Sequence, residues 1–183
     1  MSSIINHKKS IGDKENPLLS SRGSDLTLCL IFDNHLHPNK ILLGMKKRGF
    51  GHGKWNGFGG HPEKGETLVQ ATVREVKEEC NLSVQMLEER GVLTFHTQDD
   101  PHPTFVHLFV ATTWSGDPEE SEEMLPQWYS LDDIPYGSMW ADDKHWLPKI
   151  IKGEYVKGTF HFDNKDNLLN HILEDGKNQE REK

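Results

Sequence analysis

Short apolar runs alternate with polar turns along the central part of the chain. The first run, Leu26–Phe32, is almost continuously apolar, as in a strand that is buried on both faces. A turn-like stretch at residues 33–39 separates it from a second run at residues 40–45, an order that is typical of a hairpin. Later runs predict further strands at residues 91–96, 106–113 and 127–131.

One helix with well-marked ends is predicted at residues 67–80. Thr67 and Gln70 have the spacing of a capping box at its start, and Asn81 suits a left-handed cap at its end. At about 100° per residue, one apolar stripe is expected to face the core. The stripe consists of Val69, Val73, Val76 and Cys80. With a second helix expected at residues 142–152, the order of elements indicates an α/β (α+β) sandwich.

Composition limits what the chain can bind. Its 183 residues carry 21 Lys plus Arg against 29 Asp plus Glu, a net charge of -8. Nucleic-acid polymers and anionic membranes repel such a chain, and no apolar run approaches the roughly 18 residues of a membrane span. Cys29 and Cys80 stand in apolar segments without a CxxC partner, so buried free thiols in a reducing compartment are expected.

The polar ends of the sequence suggest where the folded domain begins and ends. Residues 1–24 lack periodicity and are predicted to be a disordered lead, while residues 174–183 are predicted to be a solvated tail. A single folded domain is therefore expected at residues 25–173. We expect a cytoplasmic monomer, with a nuclear or mitochondrial location left open because the lead is weakly basic.

Three glutamates on the first predicted helix carry the first sign of chemistry. Glu75, Glu78 and Glu79 share a face within about one turn, where their charges repel one another. A solvated acidic face is the ordinary explanation for such a cluster. The cluster lies towards the C-terminal end of the helix, where the dipole disfavours negative charge, and it follows a glycine-rich loop. Oxygen ligands grouped in this way suit a hard divalent cation such as Mg²⁺ or Mn²⁺.

The spacing of these residues resembles a known motif, the Nudix box. The matching run is Gly60-x5-Glu66-x7-Arg74-Glu75-Val76-x-Glu78-Glu79-x-Asn81-Leu82, with Asn81 in place of the final glycine. The resemblance implies a Nudix fold, with a mixed β-sheet sandwiched between helices, and Mg²⁺-dependent cleavage of a nucleoside diphosphate linked to another group. It further implies that Glu78 and Glu79 bind metal, that Arg74 orients Glu75, and that Gly60 contributes its carbonyl. Glu75 is implied as a base in some members of the family and as a metal ligand or orienter in others.

Two longer segments, residues 43–60 and 138–148, resemble the branch of the family that hydrolyses oxidised purine nucleoside triphosphates such as 8-oxo-dGTP and 2-oxo-dATP. The resemblance implies a base pocket with Lys46 nearby, formed or lined by Thr27, Phe50, Asn56, Phe95, Trp140, Asp142, Asp143 and Trp146. It also implies that Glu123 joins the metal site and competes with Glu75 for the role of base. The chain departs from that branch at Thr104, where a methionine is expected, and at Lys54, where an arginine is expected.

Several of these residues also have a simpler explanation. Asp142 and Asp143 alone would most often cap a helix, and Trp114 and Trp128 are expected in the core. If the two aspartates instead lie in a tryptophan-lined pocket, burial and like charge should keep both from ionising together. His35 and His37 have the spacing of a weak transition-metal site, although exposed histidines in a turn are more common.

The resemblance predicts a small-molecule nucleotide as substrate, with monophosphate and pyrophosphate as products and removal of damaged nucleotides from the precursor pool as the role. Three other possibilities stay open. The first is a Nudix hydrolase with another substrate, such as ADP-ribose or a dinucleoside polyphosphate. The second is an isopentenyl diphosphate isomerase with the same fold. A nucleotide sensor without turnover is the third, and the complete set of box carboxylates disfavours it.

Overall fold

The computed structural model describes residues 23–34 and 38–174 of the chain. Within them, eight strands form one mixed sheet: β1 (Ser24–Phe32), β2 (Lys40–Lys46), β3 (Trp55–Asn56), β4 (Ser83–Thr97), β5 (Thr104–Ser115), β6 (Met124–Ser130), β7 (Val156–Phe162) and β8 (Leu168–Glu174). The two α-helices are α1 (Leu68–Cys80) and α2 (Asp143–Ile151). Two short 3-10 turns, Leu131–Asp133 and Tyr136–Ser138, lead into α2.

The sheet has the order β3-β2-β1-β5-β4-β7-β8. Strand β6 pairs with β2 along the edge opposite the one that contacts β1 and β3. The β1–β5 and β4–β7 pairs are parallel, and the remaining pairs are antiparallel. Only the end of β1 pairs with β2, so the rest of that edge is free to bind the segment after β3. There the N–H of Cys29 donates to the Phe58 carbonyl at 2.6 Å, and that of Thr27 to the Gly60 carbonyl at 2.9 Å. This pairing fixes the glycine-rich segment against the sheet.

Both faces of the sheet are buried, each beneath one helix. On β1, Leu30 and Phe32 belong to a core cluster that also contains Trp146 and Leu147 of α2. The alternate residue Ile31 points to the opposite face, in a cluster with Val76, Cys80 and other apolar residues beneath α1. The two-residue period of a strand explains why a continuous apolar run is needed here. The predicted sandwich of a mixed sheet between helices is confirmed.

The predicted ends of α1 are confirmed. Thr67 accepts a hydrogen bond from the Gln70 N–H at 3.2 Å, and the Gln70 side chain accepts one from the Thr67 N–H at 2.9 Å. Asn81 adopts the left-handed conformation with φ of 61°, and its N–H donates to the Lys77 carbonyl. Both features depend on residues close in sequence, which is why the pattern located them correctly.

The predicted core stripe of α1 is partly wrong. Val69 and Val73 are exposed, at 49% and 37% of their surface, although Val76 and Cys80 are fully buried. The buried face is rotated toward Ala71, Thr72 and Glu79, which are buried beside them. The three glutamates therefore do not share one solvated face, because Glu79 lies on the buried side. The glycine-rich backbone packed over Glu79 provides the hydrogen bond that makes this rotation tolerable.

The strands at the end of the domain were not predicted, and β4 begins at Ser83, eight residues before the predicted start. In β7, Val156, Gly158, Phe160 and Phe162 are buried in alternation, which is a period-2 signal. Strand β8 is a sheet edge with mostly exposed residues, so its sequence carries a weak signal.

Three regions of the sequence lie wholly or largely outside the described residues: the predicted lead, apart from residues 23 and 24, the predicted tail, apart from residue 174, and the pair His35 and His37. Among the described residues, Cys29 and Cys80 are free and buried, as expected, and Trp114 and Trp128 pack against the core beneath α1. Neither helix of the described part is long and apolar enough to cross a membrane.

Candidate active site

A cavity of about 510 Å³ opens on the face of the sheet that α2 covers. Its floor comes from β1, β4 and β5, and its walls from the loop after β2 and the start of α2. The nine side chains that the sequence assigned to substrate binding all line it, namely Thr27, Lys46, Phe50, Asn56, Phe95, Trp140, Asp142, Asp143 and Trp146. Gly60 and Glu79 line the same cavity, while Arg74, Glu75, Glu78 and Glu123 lie outside its lining. Contact of these residues with a nucleotide stays a prediction.

Aromatic side chains form one wall of the cavity. The rings of Phe50 and Trp140 stack with centroids 4.9 Å apart, although Phe50 is otherwise 80% exposed. A side chain at Gly51 would have its Cβ 3.1 Å from the Trp140 ring, so glycine allows the loop to approach this tryptophan. The ammonium group of Lys54 lies 4.8 Å from the same ring centroid. The arrangement leaves flat apolar surface on which a planar base could stack.

Asp142 and Asp143 lie at the bottom of this wall and are almost completely buried, at 3% and 2% exposure. Asp142 accepts a hydrogen bond from the indole Nε1–H of Trp146 at 2.8 Å, and Asp143 accepts one from the Trp140 N–H at 3.0 Å. Asp142 is the first residue of the turn into α2 but makes no side-chain cap hydrogen bond, so an ordinary capping role does not describe it. Among the described residues, no cation lies within ion-pair distance of either carboxylate.

Burial is the main influence on the protonation of this aspartate pair. It raises the pKa of Asp142, and it raises that of Asp143 well above its ordinary value, with the charge of Asp142 acting in the same direction. The opposing influences on Asp142 are the Trp146 hydrogen bond and the positive charges of His171 and Lys54. The site therefore favours at least one protonated carboxyl, which can donate a hydrogen bond as well as accept one.

Glu79 and the glycine-rich backbone meet at another part of the cavity lining. Glu79 is 4% exposed, and its Oε2 accepts a hydrogen bond from the Gly59 N–H at 2.9 Å. Its Oε1 lies 3.4 Å from the Lys46 ammonium group. Burial raises the pKa of Glu79 to about 7, an effect that the Gly59 N–H and Lys46 partly offset and that the charge of Glu75 reinforces.

Arg74 organises the carboxylates that lie just outside the cavity. Its guanidinium binds Glu66 in a bidentate manner, at 2.8 and 3.0 Å. It also donates to Glu75 at 2.8 Å, to Glu78 at 3.2 Å and to the carbonyl of His61 at 3.2 Å. The hydrogen bonds from Arg74 hold the pKa of Glu66 below its ordinary value. The planar guanidinium group, with several N–H donors in fixed directions, can bind several carboxylates at once and hold them in place.

Glu123 is the residue just before β6, and it shares Lys46 as a partner with Glu79. The Lys46 ammonium group donates to Glu123 at 3.0 Å, and the Arg48 guanidinium does so at 2.8 Å. These hydrogen bonds lower the pKa of Glu123. Partial burial acts to lower the pKa of Lys46, but its bonds to Glu123 and Glu79 raise it above the ordinary value. Lys46 therefore bridges two of the carboxylates that the sequence assigned to metal.

Carboxylate oxygens are the donor type that a hard divalent cation prefers, although within the described residues no three acidic, histidine or cysteine groups are placed to hold a metal ion. A Cβ on Gly60 would lie 2.5 Å from Glu75 Oε1, so glycine lets this backbone approach the carboxylate. The Gly60 carbonyl is itself held by the N–H of Thr27 at 2.9 Å. Glu75 therefore lies close to the Gly60 backbone and its charge also acts on Glu79, so repulsion between these two carboxylates is what a hard cation would relieve.

Sequence patterns missed the part of the cavity that depends on distant strand pairing. Leu93, Thr97, Val106 and Phe162 also line the cavity, with Asp166 from the turn before β8. Thr97 pairs with Phe162 across β4 and β7, and Phe95 pairs with Thr104 across β4 and β5. The alternation of Leu93, Phe95 and Thr97 would have placed them on one face once β4 was known to reach Thr97.

Comparison with known proteins places the chain in one family. The NUDIX domain model matches residues 26–150. Over 138 residues the chain is 45% identical to the protein of Mus musculus named oxidized purine nucleoside triphosphate hydrolase, an alignment that covers 75% of this chain and 88% of that protein. A protein of the same name from Danio rerio is 44% identical over 150 residues, covering 82% of this chain and 94% of that protein.

The fold comparison agrees with the sequence comparison. The crystal structure of a MutT protein from Bacillus halodurans matches with a TM-score of 0.72 and 26% identity, covering 82% of this chain and 97% of that chain. NUDIX hydrolases generally use divalent metal ions and act on small nucleotide substrates. Since the family model spans more than half of the chain and relatives this similar cover three quarters or more of it, the chain belongs to the NUDIX family.

Proposed function

We propose that the protein hydrolyses oxidised purine nucleoside triphosphates, such as 8-oxo-dGTP and 2-oxo-dATP, to the monophosphate and pyrophosphate. The observation that carries the proposal is a single cavity lined both by the buried Asp142–Asp143 pair and by Glu79 with Gly60. The aspartate pair can read the edge of a base, and the part with Glu79 and Gly60 can receive a polyphosphate. The two vertebrate relatives, at 44% and 45% identity, support the same substrate class.

Mg²⁺ is the cation that we propose for the site, with Mn²⁺ as a substitute. Gly60, Glu75, Glu78, Glu79 and Glu123 are the residues that would hold it. When bound, such a cation neutralises phosphate charge and lowers the pKa of the attacking water.

The protein side chains would provide binding, orientation and proton transfer. Arg74 holds Glu75 in place through its hydrogen bond at 2.8 Å, and Lys46 carries positive charge in the part of the cavity beside Glu79. Glu75 and Glu123 are the two candidates for general base. The pH–rate profiles of Glu75→Gln and Glu123→Gln separate them, because only loss of the true base removes the acidic limb of the profile.

At the aspartate pair, the cavity can distinguish bases by hydrogen bonding. An 8-oxoguanine edge presents donors at N1 and N2 and an acceptor at O6, whereas ionised carboxylates can only accept. One shared proton on Asp142 and Asp143 would let one carboxyl accept while the other donates. Relocating that proton would suit 2-oxoadenine, whose donors and acceptors are arranged differently. Trp140 and Phe50 would stack on the base or close over it.

A panel of nucleotides assayed for released pyrophosphate and monophosphate tests this function. The panel contains 8-oxo-dGTP, 2-oxo-dATP, dGTP, dATP, ADP-ribose and a dinucleoside polyphosphate, each with saturating Mg²⁺. We expect kcat/KM for the oxidised triphosphates to exceed that for the normal ones by at least about tenfold, the ratio that corresponds to a 1.4 kcal/mol difference. A preference for ADP-ribose or the dinucleoside polyphosphate would contradict the proposal, as would release of inorganic phosphate instead of pyrophosphate.

We also propose that the protein is a cytoplasmic monomer with one folded domain at residues 25–173. The cavity is lined entirely by residues within this range, which supports its being one folded unit. Light scattering during size-exclusion chromatography tests the oligomeric state. Fractionation of cells that express the full chain tests the location, and recovery mainly with mitochondria or nuclei would contradict this part.

A further inference from the structure

Lys54 lies in the turn that leads into β3, beside residues already assigned to the base. Its N–H donates to the Gly51 carbonyl at 2.9 Å, and its carbonyl accepts from the Lys46 N–H at 2.9 Å, so the backbone is fixed on both sides. The side chain is half-buried and lines the cavity. Its ammonium group lies 4.8 Å from the centroid of the Trp140 ring and donates to the Met139 carbonyl at 3.5 Å.

Lys54 lines the same cavity as Asp142 and Asp143, and its ammonium group contacts Met139 and Trp140, which come just before the pair in the chain. Its positive charge lowers the pKa of both Asp142 and Asp143, against the larger influence of burial. His171 of β8 acts in the same direction on Asp142, but an imidazole is cationic only when protonated. The other titratable neighbours are His145, whose ring lies 4.0 Å from that of His171, and Tyr136, whose pKa is raised by burial and by Asp143.

Lys54 is therefore the constant positive charge that acts on both members of the pair. We propose that Lys54 is a specificity-determining residue, which stabilises a single negative charge on the Asp142–Asp143 pair while holding Trp140 beside the base. This inference rests on the proposed function, because it concerns which purines the cavity accepts. Lys54 is a positioning residue in this scheme, since it acts through the two aspartates and Trp140.

The number of protons on the pair decides its hydrogen-bonding pattern. With one negative charge, the pair has one carboxylate that accepts and one carboxyl that donates. Without the ammonium group, the fully protonated pair persists to higher pH, because a nearby cation no longer favours ionisation. A base that requires a carboxylate acceptor is then bound less well at neutral pH, while a base that accepts from two donors is less affected.

The first test compares Lys54→Met with Lys54→Arg, which keeps the charge and the contact with the tryptophan ring. The measurement is kcat/KM against pH, from about 5.5 to 9, for 8-oxo-dGTP and 2-oxo-dATP at saturating Mg²⁺. For Lys54→Met we expect the acidic limb to move up by about 0.5 to 1 pH unit, less than for a direct ion pair, and the substrate ratio near pH 6.5 to change by about threefold or more. Lys54→Arg should keep the limb where the wild type has it, whatever its absolute rate.

A second measurement without substrate separates this inference from the proposed function. The indole N–H of Trp146 donates to Asp142 at 2.8 Å, so its ¹⁵N NMR resonance, assigned with Trp146→Phe, reports the ionisation of the pair. Its titration midpoint should rise in Lys54→Met by the same 0.5 to 1 pH unit and stay in place in Lys152→Met, which removes an exposed charge at the other end of α2.

An unmoved midpoint in Lys54→Met overturns the inference, and so does a moved midpoint with an unchanged substrate ratio. Equal losses for both substrates in both Lys54 variants, with no movement of the limb, would reduce Lys54 to a packing role. A wild-type protein that hydrolyses neither oxidised nucleotide refutes the proposed function instead, and the midpoint still shows whether Lys54 controls the aspartate pair.

Discussion

Two groups of carboxylates differ in what surrounds them: the glutamates around α1, of which only Glu79 lines the cavity, and the Asp142–Asp143 pair, which lines the same cavity. The glutamates around α1 are compensated, since Arg74 binds Glu66, Glu75 and Glu78, and Lys46 bridges Glu79 and Glu123. The aspartates at the start of α2 have hydrogen bonds from Trp140 and Trp146 but no ion pair among the described residues. The two surroundings therefore act differently on similar side chains, because cationic partners favour the ionised form of a carboxyl group and burial without an ion pair favours the protonated form.

This difference suits the two halves of a nucleoside triphosphate. A polyphosphate with its cation needs ionised oxygen ligands and nearby positive charge, which the α1 group supplies. The edge of a purine needs both donors and acceptors, which a partly protonated pair supplies. Glu79 stands between the two extremes, because it is as buried as the aspartates yet has the Gly59 N–H and Lys46 as partners.

The largest effect is expected at the glutamates around α1. Glu79→Gln keeps the size of the side chain and removes its charge, so the proposed cation is bound less well at the position where phosphate charge must be neutralised. We expect kcat at saturating Mg²⁺ to fall by at least about a hundredfold. Glu122→Gln, which removes an exposed charge from the loop before β6, is the matched control. Activity close to that of the wild type in Glu79→Gln would remove this residue from the site.

The next largest effect is expected at the Asp142–Asp143 pair. Asp142→Asn and Asp143→Asn each fix one hydrogen-bonding pattern, so each should cost roughly 1–3 kcal/mol in kcat/KM, a factor of about 5 to 150. The losses should differ between 8-oxo-dGTP and 2-oxo-dATP, while the Mg²⁺ dependence stays unchanged. Equal losses for both substrates in both variants would refute proton sharing, and no loss would reduce the pair to a structural feature of α2.

A smaller loss is expected when the positive charge beside the carboxylates of α1 is kept but the guanidinium group of Arg74 is replaced by an ammonium group. Arg74→Lys cannot bind Glu66 with two parallel bonds and reach Glu75 as well, so Glu75 becomes less well oriented. We expect kcat to fall by about tenfold and urea unfolding to show a loss of about 1–3 kcal/mol. Arg90→Lys, at a guanidinium on β4 that bonds the Gly153 carbonyl, is the control. If both variants behave alike, the Arg74 network is not specific to the site.

The last effect concerns stability without metal rather than activity. Burial raises the pKa of Glu79 to about 7, above the ordinary 4.5 of a glutamate that the unfolded chain retains. The folded state therefore binds this proton more tightly, so the contribution of Glu79 to stability is greatest below about pH 4.5 and is lost as pH rises through about 7. In a metal chelator, Glu79→Gln should gain stability relative to the wild type across this range, by about 3 kcal/mol between pH 4.5 and pH 8. An unfolding difference that is the same at pH 4.5 and pH 8 would contradict the raised pKa.

Local sequence signals predicted the surroundings of α1 better than those of the Asp142–Asp143 pair. The capping residues of α1 depend on neighbours within one or two turns, so the pattern located Thr67 and Asn81 correctly. Helix periodicity alone could not show that Val69 and Val73 face solvent while Glu79 is buried. That orientation depends on backbone twenty residues away, which donates to Glu79 from Gly59.

The surroundings of the Asp142–Asp143 pair depend on contacts that are more distant still. The resemblance named Trp140, Asp142 and Asp143, but nothing local in the sequence shows that the two aspartates are buried against Trp146. Thr97 and Phe162 reach the cavity only through the parallel pairing of β4 with β7, a register set across more than sixty residues. A sequence pattern can indicate a strand, but the neighbour it selects is decided by packing of the whole sheet.

The protonation of the aspartate pair in the substrate-free protein tests the comparison most directly. Carbon-13 NMR of the full chain, labelled at aspartate carboxyl carbons, distinguishes protonated from ionised side chains at pH 7. We predict one shared proton on the pair, with the signal of a protonated carboxyl changed or lost in both Asp142→Asn and Asp143→Asn. A spectrum in which every aspartate of the wild-type protein is fully ionised at pH 7 would contradict the account.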